Sequence, residues 1–241
     1  MTVSTYPNDD ARWNAMRSKD RAAEGAFYIA VRTTGVYCLA SCGGRPLRKN
    51  VEFHGSRESA RAAGFRACLR CKPDVERETL RHATVRTSLG LALVARSETG
   101  LRLVTLGDDA ETVTADLERR FPAARLVADA DGLKTELAAV ARFIDRPEAG
   151  LDLPLDDQGT DLQREVWAML RKIPAGETVS YADLARAIGR PSAARVVANA
   201  CGANPLAVIT PCHRVVRADG GLSGYRWGVE RKAALLAREA A

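Results

Sequence analysis

Apolar positions along this chain change rhythm from one stretch to the next, and the rhythm predicts the elements. Between residues 89 and 106 they crowd into two runs, Leu91-Ala92-Leu93-Val94-Ala95 and Leu101-Arg102-Leu103-Val104, around a turn near Glu98-Thr99-Gly100. That is the pattern of a β-hairpin. Helices are expected next over residues 110–120 and 133–144. The last third is mainly helical, over residues 161–171, 181–188, 193–201 and 233–239. Ser180 followed by Asp183 is close to a capping box. Gly189-Arg190-Pro191 stops that helix and Ser192-Ala193-Ala194 opens the next, a helix-turn-helix pattern. The first third is less regular, with a strand at 27–31 and a helix at 56–64 that Ser56 caps and Gly64 ends. Residues 73–84 are charged and lack an apolar stripe, so a linker or short connecting helix is expected. Residues 151–160 read as a second, crossing linker.

Charge divides the 241 residues in the same places. Residues 1–84 carry a net +6, residues 85–157 a net −5 and residues 158–241 a net +5. Basic modules suit a polyanion, because neutralised phosphates release condensed counterions; ordinary solvated basic surfaces would give the same count. No apolar stretch approaches the ~20 residues of a membrane helix. The polar first ten residues carry no secretion signal, so a cytosolic protein is expected; a monomer is the default.

The six cysteines then change the picture. Cys38 and Cys42 form one close pair, Cys68 and Cys71 another, and Cys201 and Cys212 lie near the end. Two close pairs supply the four soft ligands of a tetrahedral Zn2+ site, with Gly43-Gly44 letting the backbone bend. His54 is a weaker ligand candidate. So small a first module has little core of its own and benefits from a metal. The spacing fits a purely structural zinc. It also fits a zinc-bound thiolate acting as nucleophile, since the metal deprotonates a coordinated thiol at neutral pH. Four thiolates on Zn2+ carry a formal −2, and methylating one sulfur lowers that to −1, so such a site would bind DNA better after reaction than before.

Val31-Arg32-Thr33-Thr34-Gly35-Val36-Tyr37-Cys38, Cys42 and Gly64-Phe65-Arg66-Ala67-Cys68-Leu69-Arg70-Cys71-Lys72-Pro73-Asp74 resemble the zinc domain of Ada-type DNA-repair proteins. The resemblance implies that Cys38 takes methyl groups from DNA phosphotriesters. The chain departs from the family at Leu39-Ala40, where an Arg-Pro pair is common, and this bears on a DNA contact.

Cys212 ends an apolar run, Val208-Ile209-Thr210-Pro211-Cys212-His213-Arg214, which sets a thiol beside two potentially cationic groups. Such surroundings lower a thiol pKa. A buried structural cysteine is the plain alternative. This segment, with Gly176-Glu177-Thr178-Val179-Ser180-Tyr181 and the stretch from Gly220 to Gly228, resembles methylated-DNA–protein-cysteine methyltransferases, over about residues 85–241. The resemblance implies that Cys212 accepts the alkyl group of O6-alkylguanine, and of O4-alkylthymine, in a stoichiometric, irreversible reaction. It implies that His213 takes the thiol proton through a water, that Glu239 is its carboxylate partner and that Asn204 braces the turn. Tyr181, Tyr225 and Ser180 would contact the flipped nucleotide, and Arg195 would fill the gap it leaves. A paired base must leave the stack for in-line attack, at a cost of about a few kcal/mol. The small residues of 193–201 would let a helix approach the minor groove closely. Cys201 reads as a packing residue.

Taken together, the resemblances imply an α+β chain. Residues 1–74 would be the four-cysteine zinc domain and 75–84 a linker. Residues 85–157 would form a ribonuclease H-like α/β subdomain, and 158–241 a mainly helical, winged-helix-like catalytic domain. The partner would be double-stranded DNA carrying O6-alkylguanine or methyl phosphotriesters, in a bacterial-type, nucleoid-associated setting. Only Lys72 to Ser88 separate Cys71 from the hairpin, too few for the AraC-like helix-turn-helix pair of Ada-type regulators. Two rivals are a methylation-sensing zinc transcriptional regulator, which needs a sequence-reading element, and a cysteine hydrolase built on Cys212-His213, which needs turnover on an ester or amide.

Overall fold

The computed structural model of the chain describes residues 5–147, 150–222 and 224–240. It divides into two compact units, residues 1–79 with 123–126, and residues 80–122 with 127–241. No helix among the described residues is long and apolar enough to cross a membrane.

The first unit opens with α1 (Asp9–Ser18), which the sequence reading missed. Its signals are local: the Asn8 side chain accepts from the Ala11 amide, and Asp9 and Asp10 sit in the first turn, where the helix dipole favours them. Strand β1 (Tyr28–Val31) pairs antiparallel with both β2 (Val36–Cys38) and β3 (Val51–His54). The turn from β1 to β2 requires φ +62° at Gly35, a conformation glycine adopts freely. After α2 (Arg57–Ala62), capped by Ser56 as expected, β4 (Arg66–Ala67) pairs parallel with β2 in the register Tyr37↔Ala67. Parallel pairing in that register brings the residue after each strand position, Cys38 and Cys68, to the same end of the sheet.

β5 (Thr79–Thr87), β6 (Gly90–Arg96) and β7 (Leu101–Gly107) form an antiparallel meander in a sheet ordered β7-β6-β5-β8, with β8 (Arg125–Ala128) on the far edge. The hairpin is where the apolar runs put it. β5 corrects the linker expectation, because residues 79–84 are strand. Seven register pairs with β6 hold it, so backbone hydrogen bonds rather than an apolar stripe define it. Both faces of β6 and β7 are buried, which explains their continuous rather than alternating apolar runs. α3 (Ala110–Arg120) packs on β6 and β7, and α4 (Lys134–Asp145) packs on β6.

The rest is helical, as expected: α5 (Asp161–Leu170), α6 (Tyr181–Ala187), α7 (Ala194–Gly202) and α8 (Val229–Glu239). Trp167 of α5 is buried and donates its indole N–H to the Ala200 carbonyl of α7 at 2.9 Å, fixing those helices together. Two-residue strands β9 (Val179–Ser180) and β10 (Val215–Val216) pair parallel and tie the start of α6 to the segment after Cys212. Mixed strands and helices in both units make this an α+β chain.

Candidate active site and metal centre

The loop 204–212 is anchored on β7, where the Val104 amide donates to the Pro205 carbonyl at 3.0 Å and the Ala207 amide donates to Val104 at 2.9 Å. Within it, tight turns close through Ile209 N–H to Ala207 O at 2.7 Å and Cys212 N–H to Thr210 O at 2.8 Å. The first forces Val208 to φ +65°, a genuine outlier for a β-branched residue, which costs on the order of 1–3 kcal/mol and persists only where neighbours over-determine it. Asn204, only 1 % exposed, does that. Its Oδ1 accepts from the Leu206 amide at 2.9 Å, which settles its orientation. Its Nδ2 then faces the Thr210 carbonyl at 2.8 Å, Leu206 O at 3.2 Å and Cys212 Sγ at 3.4 Å.

Cys212 opens a 3-10 turn, Cys212–Arg214, and is buried. Burial raises its pKa above the usual thiol value, opposed by the Asn204 hydrogen bond and by Lys232 and Arg226. This corrects the expectation that His213 and Arg214 would lower it. Arg214 points elsewhere: its Nε and Nη2 donate to the two oxygens of Glu239 at 2.8 Å each, and Nη1 donates to Ile173 O at 2.5 Å. His213 Nε2 meets Glu239 Oε1 at 3.0 Å. Burial opposes ionisation of Glu239, yet His213 and Arg214 hold its carboxyl at about 2. A carboxylate only accepts, so Nε2 carries the proton. Burial holds His213 below its ordinary value despite Glu239, so the ring is neutral and Nδ1 is a bare lone pair. Nδ1 has no hydrogen-bond partner among the described residues.

Sequence reasoning missed Lys232 of α8. It is fully buried, donates from Nζ to Val215 O at 2.6 Å, and burial lowers its pKa against the opposing pull of Cys212 and Cys201. A lysine at helical spacing on a C-terminal helix gives no signal of burial. Glu239 is the last residue of α8, and Gly176 lies against it: a Cβ there would meet the Glu239 carbonyl at 2.9 Å. Tyr225 stacks edge-on against His213 (6.4 Å between ring centres) and Trp227 (5.0 Å), with its hydroxyl buried and unpartnered among the described residues.

The other expected residues lie at the start of α6 and on α7. The Ser180 hydroxyl completes the α6 capping box, accepting from the Asp183 amide at 3.1 Å and donating to Asp183 Oδ2 at 2.6 Å. Tyr181 begins α6 and packs half-buried on the same core. Arg195 is exposed on the first turn of α7. Cys201 is buried on α7, its pKa pushed up to about 12 by burial, as suits a packing residue.

In the first unit the ligand atoms of Cys38, Cys42, Cys68 and Cys71 all lie within 4.8 Å of one another. Tetrahedral Zn2+ with Zn–S near 2.3 Å sets its sulfurs about 3.8 Å apart, so the four fit one zinc ion with small adjustment. The Leu39 amide donates to Cys71 Sγ at 3.5 Å, a contact suited to a thiolate. His54 lies outside the cluster, with Nδ1 on the Ser59 hydroxyl at 3.0 Å. A cavity of about 520 Å³ is lined by Cys38, Cys42, Cys68, Arg45, Arg66 and Arg70 and by no carboxylate. Leu39 and Ala40 are buried in the unit's core, so they serve packing.

Two family models match the two sites: the metal binding domain of Ada over residues 11–74, and the 6-O-methylguanine DNA methyltransferase DNA binding domain over residues 161–241. The bifunctional transcriptional activator/DNA repair enzyme Ada of Escherichia coli K12 is 35% identical, over all of this chain and 99% of the relative. The chain belongs to the Ada family. The regulatory protein ada of Salmonella typhimurium is 36% identical over 96% of this chain and 97% of its own. The Mycobacterium tuberculosis OGT structure in complex with DNA matches 67% of this chain and 92% of that one, with TM-score 0.53 and 34% identity. The Escherichia coli alignment runs over 349 positions against 241 residues, so 108 of them have no residue of this Ada-family chain. Between Cys71 and α5 the described residues form the β5–β8 sheet with α3 and α4, and no AraC-like helix-turn-helix pair.

Proposed function

We propose that this chain repairs alkylated DNA by direct, single-use transfer of alkyl groups to its own cysteines, with Cys212 as acceptor from O6-alkylguanine and O4-alkylthymine. The observation that carries this reading is the bare, buried Nδ1 of a neutral His213 whose other nitrogen is locked on Glu239, in the residue that follows a thiol that Asn204 orients. The Cys212 proton passes by way of a water to Nδ1, and Glu239 stabilises the imidazolium. The sulfur attacks the alkyl carbon, an S–C bond forms, the C–O6 bond breaks, and O6 takes the electron pair and a proton. Hydrolysis does not reverse a thioether, so each acceptor works once. Tyr181, Tyr225 and Ser180 flank the flipped nucleotide, and Arg195, exposed on a helix of small residues, fills the gap in the stack.

At the first site Cys38, Cys42, Cys68 and Cys71 would hold Zn2+, which would keep these ligands as thiolates. Cys38, beside the basic cavity, takes the methyl of a phosphotriester; the O–CH3 bond breaks and the phosphodiester recovers its charge. Arg45, Arg66 and Arg70 suit the phosphates on either side. We place the monomeric protein on DNA in the bacterial cytoplasm, and divide it near residues 74, 84 and 157. Duplexes bearing O6-methylguanine or a methyl phosphotriester, each followed by peptide mapping, test both halves. Methyl on Cys212 from the first and on Cys38 from the second is expected; catalytic release of either methyl overturns the single-use reading.

A further inference from the structure

Beneath the thiol loop, the second unit holds a polar chain that the transfer chemistry does not use. Arg120, the last residue of α3, is buried but for 12% of its side chain, and its Nη2 donates to the backbone carbonyl of Asn204 at 3.2 Å. Its Nε lies 3.2 Å from Asp116 Oδ2, off the line of a hydrogen bond, so charge holds that pair. Asp116 also pairs with Arg119 and accepts the Thr105 hydroxyl at 2.8 Å. The Thr105 oxygen in turn accepts the Trp227 indole N–H at 2.9 Å, and Trp227 stacks on Tyr225, which stacks on His213. Two branches thus leave one carboxylate. One ends on Asn204, whose side chain touches Cys212 Sγ; the other ends on the ring against the base.

We propose that the Asp116–Arg120 pair of α3 is a positioning device for the acceptor thiol, holding the Asn204 peptide so that its amide keeps Cys212 in line. The claim rests on Cys212 being the acceptor. Burying a guanidinium is costly, and here burial and the like charge of Arg226 push it down to about 10 against the pull of Asp116. A surface-facing arginine on α3 would serve helix stability as well. This one spends its donor on the single carbonyl whose residue bonds the thiol. The loop keeps its two backbone bonds to Val104 without Arg120, so its loss alters orientation rather than fold.

The test is Arg120→Ala and Arg120→Lys in the full chain, with two readouts. First, single-turnover transfer from an O6-methylguanine duplex at saturating DNA slows about tenfold in Arg120→Ala, with DNA affinity unchanged, and recovers most of the rate in Arg120→Lys. Second, the pH midpoint for alkylation of Cys212 by iodoacetamide, which needs no DNA, rises in Arg120→Ala. A lower melting temperature with wild-type rate and midpoint makes the pair merely structural and overturns the proposal. If Arg120→Ala does not fold, Asp116→Asn, which keeps the Thr105 branch while removing the negative charge that faces Arg120, is read in the same way. Failure of the wild type to accept methyl sinks the acceptor reading, while the iodoacetamide midpoint still judges the pair.

Discussion

The two cysteine sites solve one problem by opposite means. Around Cys38 four sulfurs sit within 4.8 Å on a small unit with a basic cavity beside it, and a metal is the agent that makes thiolate. Around Cys212 a single thiol is buried in the largest core of the molecule, its pKa raised, and a neutral imidazole backed by a buried carboxylate stands ready to take the proton. On the proposed reading the first site is reactive at rest and needs no base, while the second is protected until substrate arrives and needs a relay. The difference suits the proposed targets: a backbone methyl lies on the DNA surface, whereas an O6-alkyl group must be drawn into a pocket.

Stripping zinc with a chelator should separate the sites most strongly. The first unit's fold and Cys38 reactivity should both be lost, since structural zinc in finger peptides contributes about 10–16 kcal/mol, while Cys212 keeps its transfer rate. Mass mapping after each methylated duplex checks this; loss of Cys212 transfer on chelation would merge the two sites. Next in size, Glu239→Gln should slow Cys212 transfer by about 10²–10⁴-fold and destabilise the second unit by about 3–5 kcal/mol, with Cys38 untouched. Denaturant melts and single-turnover rates measure both.

pH sharpens the same contrast. Because burial holds His213 below its ordinary value, Cys212 transfer should stay level at neutral pH and fall only in more acid solution than an ordinary histidine would require, whereas metal-held thiolates respond through ligand protonation instead. Stability carries its own sign. Glu239 ionises at about 2 when folded against 4.5 ordinarily, so its contribution is complete above pH 4.5 and is lost as pH falls toward 2. The stability gap between wild type and Glu239→Gln should close over that window. The smallest expected effect is at Tyr225→Phe: removing a buried unpartnered hydroxyl should stabilise the chain by about 1 kcal/mol while slowing transfer. Equal rates would mean the hydroxyl does not meet substrate.

Much of this was legible in the chain. Paired cysteines gave the metal cluster, apolar runs gave the β6–β7 hairpin, and Ser180 with Asp183 gave the start of α6. What escaped was held by backbone or by distant partners. β5 is a strand because β6 pairs with it, and its arginines read as linker. Arg214 looks like a helper of the thiol in sequence, and Lys232 gives no sign of burial. Only folding shows that Arg214 clamps Glu239 and that Lys232, with Arg226, is a cation that pulls the Cys212 pKa down against burial. Arg120 lies 84 positions from Asn204, beyond any local pattern. The roles of Tyr181 and Arg195 came from resemblance alone.

One measurement bears most directly on the central claim. The full chain is mixed with a duplex carrying a single O6-methylguanine and followed by intact mass and peptide mapping. The account predicts one methyl per molecule, on Cys212, with the guanine restored and no second turnover, and no transfer in Cys212→Ala. Methyl transfer retained by Cys212→Ala, or repeated turnover by the wild type, would contradict it.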